Sequence, residues 1–568
     1  MNHLLDKIQQ NDKNQYRIFF LVLVLITLFM ILCNGSSSIH SGYDFFFQYR
    51  RLDVLIDALR HGDYISYIDY SNLDGYGYMV KAFYPDLILI PFAVIGIFTG
   101  TYAAYDIMIF VMTILCGLFM YRTVKVIYKN TYTAAISSIL YTFAVYRLYD
   151  IYHRGALAES LSFTFLPIVF LGLYYIIQGD YKRWYILAIG FSLMIYTHAI
   201  ASVLMFLTLL ILCAVYYKKL VAEPKRIIYL CLAGTITVLL TAYYIFPALE
   251  QLLSESFYLD SRNPGGGAGY GKVGFDYIFW GFVSGVAYRQ GLWAGIGIIL
   301  TMAVLLRLFI RRKWDDKQLR SVDIGVIISI CFIIATSRIF PWGRFPFNLL
   351  SFIQYPWRLY EFASYFFAIA GGFYLSLLFV KNKSRIATAS VVIVFTMVTI
   401  YIHSENFKML DTLGDLQIFA GKKTEIPHID NRFHTIGSEY LPSRLPAIEY
   451  VKERGEIVES DNGDSQITNL KRNYNHTSLD VTILKADSLT LPILYYKGYA
   501  AKLNGKELPV VQSNYGFIKI PVNESGRVKA YYKGTSVQKT SFFISIICTF
   551  ALIFYIIRSK RNRRHETN

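Results

Sequence analysis

The sequence predicts an α-helical polytopic membrane protein of about twelve spanning helices, with a small extracytoplasmic β-sandwich near its C-terminus. Three observations carry that prediction. Hydrophobic residues make up 55% of the 568 and charged residues only 17%, with a mean hydropathy of +0.39, far more apolar than soluble chains of this length. Apolar runs of roughly 16–22 residues recur along the chain, the length that crosses about 30 Å of hydrocarbon. Between residues 404 and 538 the composition changes to polar stretches with alternating apolar positions.

The first apolar run, Ile18 to Cys33, has no small-residue cleavage site after it and reads as a retained helix rather than a signal peptide. The stretch Tyr84 to Gly100 is apolar but carries Pro85, Asp86 and Pro91. If it crossed, the basic clusters Arg122/Lys125/Lys129, Lys182/Arg183, Lys218/Lys219/Lys225/Arg226, Arg311/Arg312/Lys313 and Lys381/Lys383/Arg385 would all lie outside, against the positive-inside rule. If it lies along the outer interface or re-enters, all five become cytoplasmic, as does the Arg558 to Arg564 run. That arrangement places both termini in the cytoplasm of a multi-pass plasma-membrane protein. It divides the chain into a membrane module over 1–403 with an external first loop at 34–104, an extracytoplasmic β-rich domain over 404–538, and a final helix with a basic tail over 539–568. Further external pieces fall near 150–160, 248–288 and 337–357.

Within 404–538, "SLDVTILK", "LPILYYKGY", "FIKIPV" and "VKAYY" alternate in the manner of half-buried strands. Asn504-Gly505 between "YAAKL" and "KELPVV" is the short-range signal of a tight hairpin. A sandwich of antiparallel hairpins is the expected result.

The net charge of +17 does not point to nucleic acid, because the basic residues sit in short clusters between apolar runs, as cytoplasmic anchors do. The six cysteines fall in or beside apolar runs without metal-site spacing, so neither a disulfide framework nor a zinc site is expected. "NPGGGAGYGK" at 263–272 lacks the flanking strand and helix of a phosphate loop and reads as a flexible external loop.

The ionisable residues outside the cytoplasmic clusters collect at outer helix ends and loops, while helix centres hold very few. A proton-coupled transporter more often places acids or bases near the midplane. Charges gathered at one face suit an enzyme whose substrate has its reactive head group at the interface and its tail in lipid. Asp44, in "SGYDFFFQYRR", sits among interfacial aromatics, where partial desolvation would raise its pKa toward that of a useful base. It reads equally as a helix N-cap or an ion-pair partner of Arg50 or Arg51. In "YHRGALAESL", Glu159 is either a second acidic group or a helix-dipole partner, and Arg154 either a phosphate ligand or the counter-ion of Glu159. Arg358 in "QYPWRLYEF" suits an anion site as well as interfacial anchoring, and His198 in "YTHAI" suits a substrate donor or a structural helix end. Arg51 and Tyr84 complete the candidate substrate-binding set.

"HSGYDFFFQYRRLDVLIDALRHGDY", "DGYGYMVKAFYPDLILIPFAVIG", "YRLYDIYHRGALAESLSFTFLPIVFLGLYY", "THAIASVL" and "IQYPWRLYEF" together resemble bacterial polytopic proteins of the YfhO-like kind. They resemble as closely the related membrane proteins labelled "6-pyruvoyl-tetrahydropterin synthase-related", a label from which no pterin chemistry follows. Both groups are similar to the GT-C glycosyltransferases, and the resemblance covers most of the chain, including "EYLPSR" and "YYKGYAAKLNGK". It implies a GT-C-like fold, Asp44 as the first-loop catalytic aspartate, and Glu159, in the second acidic motif, as the other catalytic residue. The chain departs from the pattern at Gln48, where relatives tend to show histidine.

The activity so implied is transfer of a sugar from a polyprenyl-phosphate donor to a cell-envelope acceptor, a teichoic acid, wall polysaccharide or glycolipid, on the outer face of the membrane, with inversion. Arg154 or Arg358 would meet the donor phosphate and membrane lipids the donor's tail. No cofactor is required, although Asp44 and Glu159 leave room for a shared divalent cation. A non-catalytic envelope assembly or sensor protein and a lipid-linked polymer transporter remain as alternative readings.

Overall fold

The computed structural model describes residues 12–40, 42, 44–64, 67–259, 268–269, 271–283, 286–287, 293–311, 316–412 and 438–567. Most of the loop expected at 263–272 lies outside them. The chain forms two compact units: Met1–Tyr49 with Thr99–Thr237 and Gly265–Thr424, and Arg50–Phe98 with Val238–Pro264 and Glu425–Asn568.

Among the described residues, seven helices are long and apolar enough to cross a membrane: Asp12–Leu32, Thr101–Tyr128, Leu157–Ile177, Lys317–Ala335, Pro356–Leu378, Asn382–Glu405 and Ser536–Asn562. The pair Lys225–Leu240 and Ala242–Ser254 makes an eighth if it is one span. The chain is thus a multi-helix membrane protein, with fewer full-length spans than the expected number. Ala199–Val215 and Ile298–Phe309 are shorter apolar helices, as is Ile90–Thr99. The last of these has 10 residues, a rise of about 15 Å or half the hydrocarbon thickness.

In the first unit, Leu157–Ile177 packs between Thr101–Tyr128 and Tyr185–Ile195, while Tyr360–Leu378 packs between Thr131–Thr142 and Lys317–Ala335. Small residues permit the close approach, as membrane helices need when lipid is as apolar as leucine. A Cβ at Gly172 would lie 2.7 Å from the Cβ of Leu187, and one at Gly372 would lie 2.8 Å from the carbonyl oxygen of Thr133. The two packed helices are thereby almost wholly buried, whereas Asn382–Thr412 leaves Val391, Val394, Phe395, Val398 and Ile402 exposed along its length.

The second unit holds the β-rich region. One sheet runs in the order Glu459–Ser460, Asp487–Leu494, Phe517–Val522, Val511–Gln512, and the other Gln466–Asn473, His476–Thr482, Gly526–Tyr532, Tyr499–Leu503, Lys506–Leu508, with every pairing antiparallel. Leu479, Val481, Leu489, Leu491, Ile518, Ile520 and Val528 from both sheets make one buried core. The four alternating segments of the sequence are four of these strands. Leu503 pairs with Lys506 across the Asn504-Gly505 turn, whose residues take φ of 49° and 84°, the mirror-image conformation that matches strand twist. Replacing Gly505 by alanine is expected to cost about 1–2 kcal/mol through that left-handed backbone, seen as a lower midpoint for denaturant-induced loss of β signal.

The domain boundaries differ from those expected. The helix Asn382–Thr412 runs through position 403 and the last helix starts at Ser536, before 539, because helix hydrogen bonding continues past the point where hydropathy drops. Residues 50–98 and 238–264 also cluster with the β-rich region rather than with the other helices. Tyr244 in the helix Ala242–Ser254 donates its hydroxyl to the carbonyl of Phe83, and Gln251 donates to that of Lys497, contacts that no linear hydropathy pattern shows.

Candidate functional site

Asp44 lies near the start of the first loop, immediately before the helix Phe45–Arg60, and its carbonyl accepts from the amide of Gln48, so it stands where a helix begins. Its own amide donates to the carbonyl of Arg154 at 2.6 Å. That backbone contact needs two glycines. Gly42 has φ of 103°, and a Cβ there would lie 2.5 Å from the amide nitrogen of Gly155; Gly155 has φ of 64°, and a Cβ there would lie 2.5 Å from the amide nitrogen of Phe45. No L-residue with a Cβ fits either place without moving the chain. Gly42→Ala is expected to part the two loops and to cost about 1–3 kcal/mol, visible as faster proteolysis of the first loop in membranes.

Arg154 closes a π-helical turn, Asp150–Arg154, between two α-helical pieces, an irregularity that recurs at functional sites. The turn brings Asp150 Oδ1 within 3.0 Å of Arg154 Nη1, and the same nitrogen lies 2.8 Å from Glu159 Oε2 in the first turn of Leu157–Ile177. Arg154 Nη2 faces Asp44 Oδ2 at 3.5 Å. Arg358 arrives from the 3-10 turn Pro356–Leu359, where Pro356 supplies the restricted backbone suited to a helix start. Its Nε is 3.3 Å from the same Glu159 oxygen, its Nη1 donates to the carbonyl of Ile353 at 2.7 Å, and its guanidinium lies over the ring of Tyr355. Glu159 Oε1 accepts from the hydroxyl of Tyr146.

Two guanidinium groups thus converge on one carboxylate. Burial and the negative charge of Glu159 push the Asp150 carboxyl well above the usual carboxylate range, with Arg154 opposing. Burial works against the charge on Arg154, but Glu159 and Asp150 outweigh it and raise its pKa well above the usual arginine value. Exposure separates the members. The side chain of Asp44 is 47% exposed, whereas those of Arg154, Arg358, Glu159 and Asp150 are 11%, 7%, 2% and 0% exposed.

The structure therefore brings together Asp44, Glu159, Arg154 and Arg358. It also changes their expected pairing: Asp44 pairs with Arg154, not with Arg50 or Arg51. Arg50 instead bonds Asp53 and Ser71. Arg51 and Tyr84 meet each other in the second unit, where Arg51 donates to the Pro85 carbonyl at 2.9 Å, pairs with Asp86 at 3.2 Å and lies over the Tyr84 ring. Burial raises the pKa of Asp86, opposed by Arg51. His198 caps the helix Ala199–Val215, its Nδ1 accepting from the amide of Ala201 at 3.3 Å, with its ring partly exposed. Among the described residues no group of three or more His, Cys, Asp or Glu is placed to hold a metal ion.

Three buried residues of this centre carried no assignment from the sequence. Asp150 could have been found from the i,i+4 spacing to Arg154, and Glu361 from its place one helical turn after Arg358. Glu361 Oε1 accepts from the hydroxyl of Ser162 at 2.7 Å, while its Oε2 is buried without a hydrogen-bond partner among the described residues. Arg147 had no signal. It is 1% exposed and donates to the carbonyls of Thr142 and Ser160 and to the hydroxyl of Thr113, an arrangement that only the fold creates.

No protein-family model matches the chain. It is similar to a protein of Lactococcus lactis subsp. cremoris (strain MG1363) described as an uncharacterized protein, at 22% identity over 607 aligned positions that cover 96% of each chain.

Proposed function

We propose that the chain is a GT-C-like membrane glycosyltransferase that moves a sugar from a polyprenyl-phosphate donor to a hydroxyl of a cell-envelope acceptor on the outer face of the plasma membrane. The single observation that carries this reading is the half-exposed carboxylate of Asp44 at 3.5 Å from Arg154, beside a second buried arginine, Arg358. A base open to solvent and a fixed cationic wall are the two groups that displacement of a phosphate requires.

The donor phosphate is already a good leaving group and needs charge stabilisation more than a general acid, which Arg154 and Arg358 supply. Asp44 accepts the proton of the acceptor hydroxyl as its oxygen bonds to the anomeric carbon. The bond from that carbon to the phosphate oxygen breaks on the opposite face, polyprenyl phosphate leaves with the electron pair, and the anomeric configuration inverts. Glu159 is a positioning residue in this scheme, because its buried carboxylate sets the spacing of the two arginines rather than meeting substrate. The resemblance to GT-C enzymes, the gathering of charges outside the helix centres and the short Ile90–Thr99 helix support the same reading. The shorter helices Thr131–Thr142, Tyr185–Ile195, Ala199–Val215 and Ile298–Phe309, added to the eight spans, would give the twelve-span topology with cytoplasmic termini, with Ile90–Thr99 set apart by the positive-inside pattern and not by its length.

The test is transfer of radiolabel from a polyprenyl-phosphate hexose or N-acetylhexosamine to polymer or glycolipid, in membranes carrying the wild type or Asp44→Asn. Label transferred by the wild type alone supports the enzyme. Equal transfer by both would make the Asp44–Arg154 pair a clasp between two loops, the arrangement of a non-catalytic protein.

A further inference from the structure

The β-rich unit holds a cavity of about 370 Å³ that the scheme above does not use. Its size is within the range of small-ligand sites. Its wall is built from three places. The hairpin turn between the strands Gln466–Asn473 and His476–Thr482 contributes Asn473, Tyr474 and His476, and the segment 70–75 contributes Tyr70 and Asp74. Tyr499 and Tyr531 come from the neighbouring strands of the same sheet.

The aromatic rings of the wall pack on one another. Tyr474 stacks on His61 with ring centres 4.1 Å apart and planes at 5°, and Tyr70 meets it edge-on at 5.1 Å. The polar side chains are linked by hydrogen bonds. Asn473 Nδ2 donates to His476 Nε2 at 2.9 Å, which leaves the other ring nitrogen, Nδ1, to donate to Asn475 Oδ1 at 3.0 Å. Burial, with Lys529 and Arg527 nearby, lowers the pKa of His476. Arg472 pairs with Glu456 at 3.2 Å, and its Nε is buried without a hydrogen-bond partner among the described residues. Opposite it, Leu73 and Asp74 both take φ of 52°, a left-handed run of non-glycine residues of the kind that is held where a site demands it.

These features select a ligand class. The lining tyrosines offer apolar ring atoms to C–H groups, while asparagine and aspartate offer donors and acceptors to vicinal hydroxyls. The charge is nearly balanced, because Arg472 is already met by Glu456 and Asp74 offsets part of the positive charge that Lys529 and Arg527 bring near His476, so the site suits a neutral ligand better than a multiply charged one. We propose that this cavity binds a neutral sugar unit, as a mono- or disaccharide of a larger glycan. The site deepens the transferase reading, on which it rests only for the source of the glycan, the growing or finished acceptor.

The experiment is saturation-transfer NMR and calorimetry on the full chain in lipid nanodiscs, without donor, using methyl glycosides of glucose, galactose, N-acetylglucosamine and N-acetylgalactosamine and their disaccharides, with adenosine as a competitor. At least one glycoside is expected to bind, with Tyr474→Ala weakening it about tenfold or more and Tyr474→Phe close to wild type. An unchanged unfolding midpoint in Tyr474→Ala shows that the loss is local. Absence of binding by every glycoside, equal binding by Tyr474→Ala, or stronger binding by adenosine overturns the proposal. Asp44→Asn is expected to bind the glycoside as the wild type does. If the wild type transfers no label yet binds glycosides through Tyr474, the sugar site stands and the transferase reading falls.

Discussion

Asp44→Asn is expected to leave a folded protein whose sugar transfer falls by about 10²–10⁴-fold, the usual contribution of a positioned general base. Asparagine matches aspartate in size, and the amide of residue 44 still donates to the carbonyl of Arg154, so the loop contact made possible by Gly42 and Gly155 is kept. What is removed is the ability to take a proton from the acceptor. The loss should appear in kcat, because an acceptor binds in much the same way beside an amide as beside a carboxylate. Retention of more than about half the wild-type turnover would remove Asp44 from the chemistry.

Glu159→Ala is expected to destabilise the first unit by about 3–5 kcal/mol, the cost of removing one partner from a buried ion pair. Arg154 would keep Asp150 and Asp44, but Arg358 would be left with the carbonyl of Ile353 and the side chain of Gln354 inside a nearly closed site. Tyr146 would lose its acceptor as well. Glu159→Gln, which keeps the volume and an oxygen for Tyr146, should fall between the two. Thermal aggregation of detergent-solubilised protein measures the effect, and removing Arg358 together with Glu159 should recover part of it, since the two losses are coupled. A Glu159→Ala midpoint equal to that of wild type would mean that the arginines are solvated rather than held by the carboxylate.

Local chemistry made much of the fold legible. The Asn504-Gly505 turn and the alternating strands around it were readable because a two-residue period and a left-handed turn are properties of neighbouring residues. The break in the apolar stretch Tyr84 to Gly100 was readable because Pro85, Asp86 and Pro91 interrupt it, and the structure has only the 10-residue helix Ile90–Thr99 there. The domain boundaries were less legible. Helices extend beyond the hydropathy drop at 403 and begin before 539, and the grouping of 50–98 and 238–264 with the β-rich region depends on contacts such as Tyr244 with Phe83.

The same division runs through the candidate site. The sequence by itself determined an apolar, multi-helix chain with a β-rich segment, and which residue types could act: Asp44, Arg154, Glu159 and Arg358 stand out because charges beside membrane-length apolar runs are costly and therefore few. Only the tertiary structure decided their partners. Two glycines allow one loop's backbone to touch another's, a π-helical turn aims Asp150 and Arg154 at Glu159, and Arg358 joins them from 199 residues away along the chain. Spacing along the sequence governs contacts within a helical turn or a hairpin, whereas ion pairs across such separations form only when packing has already brought their helices together.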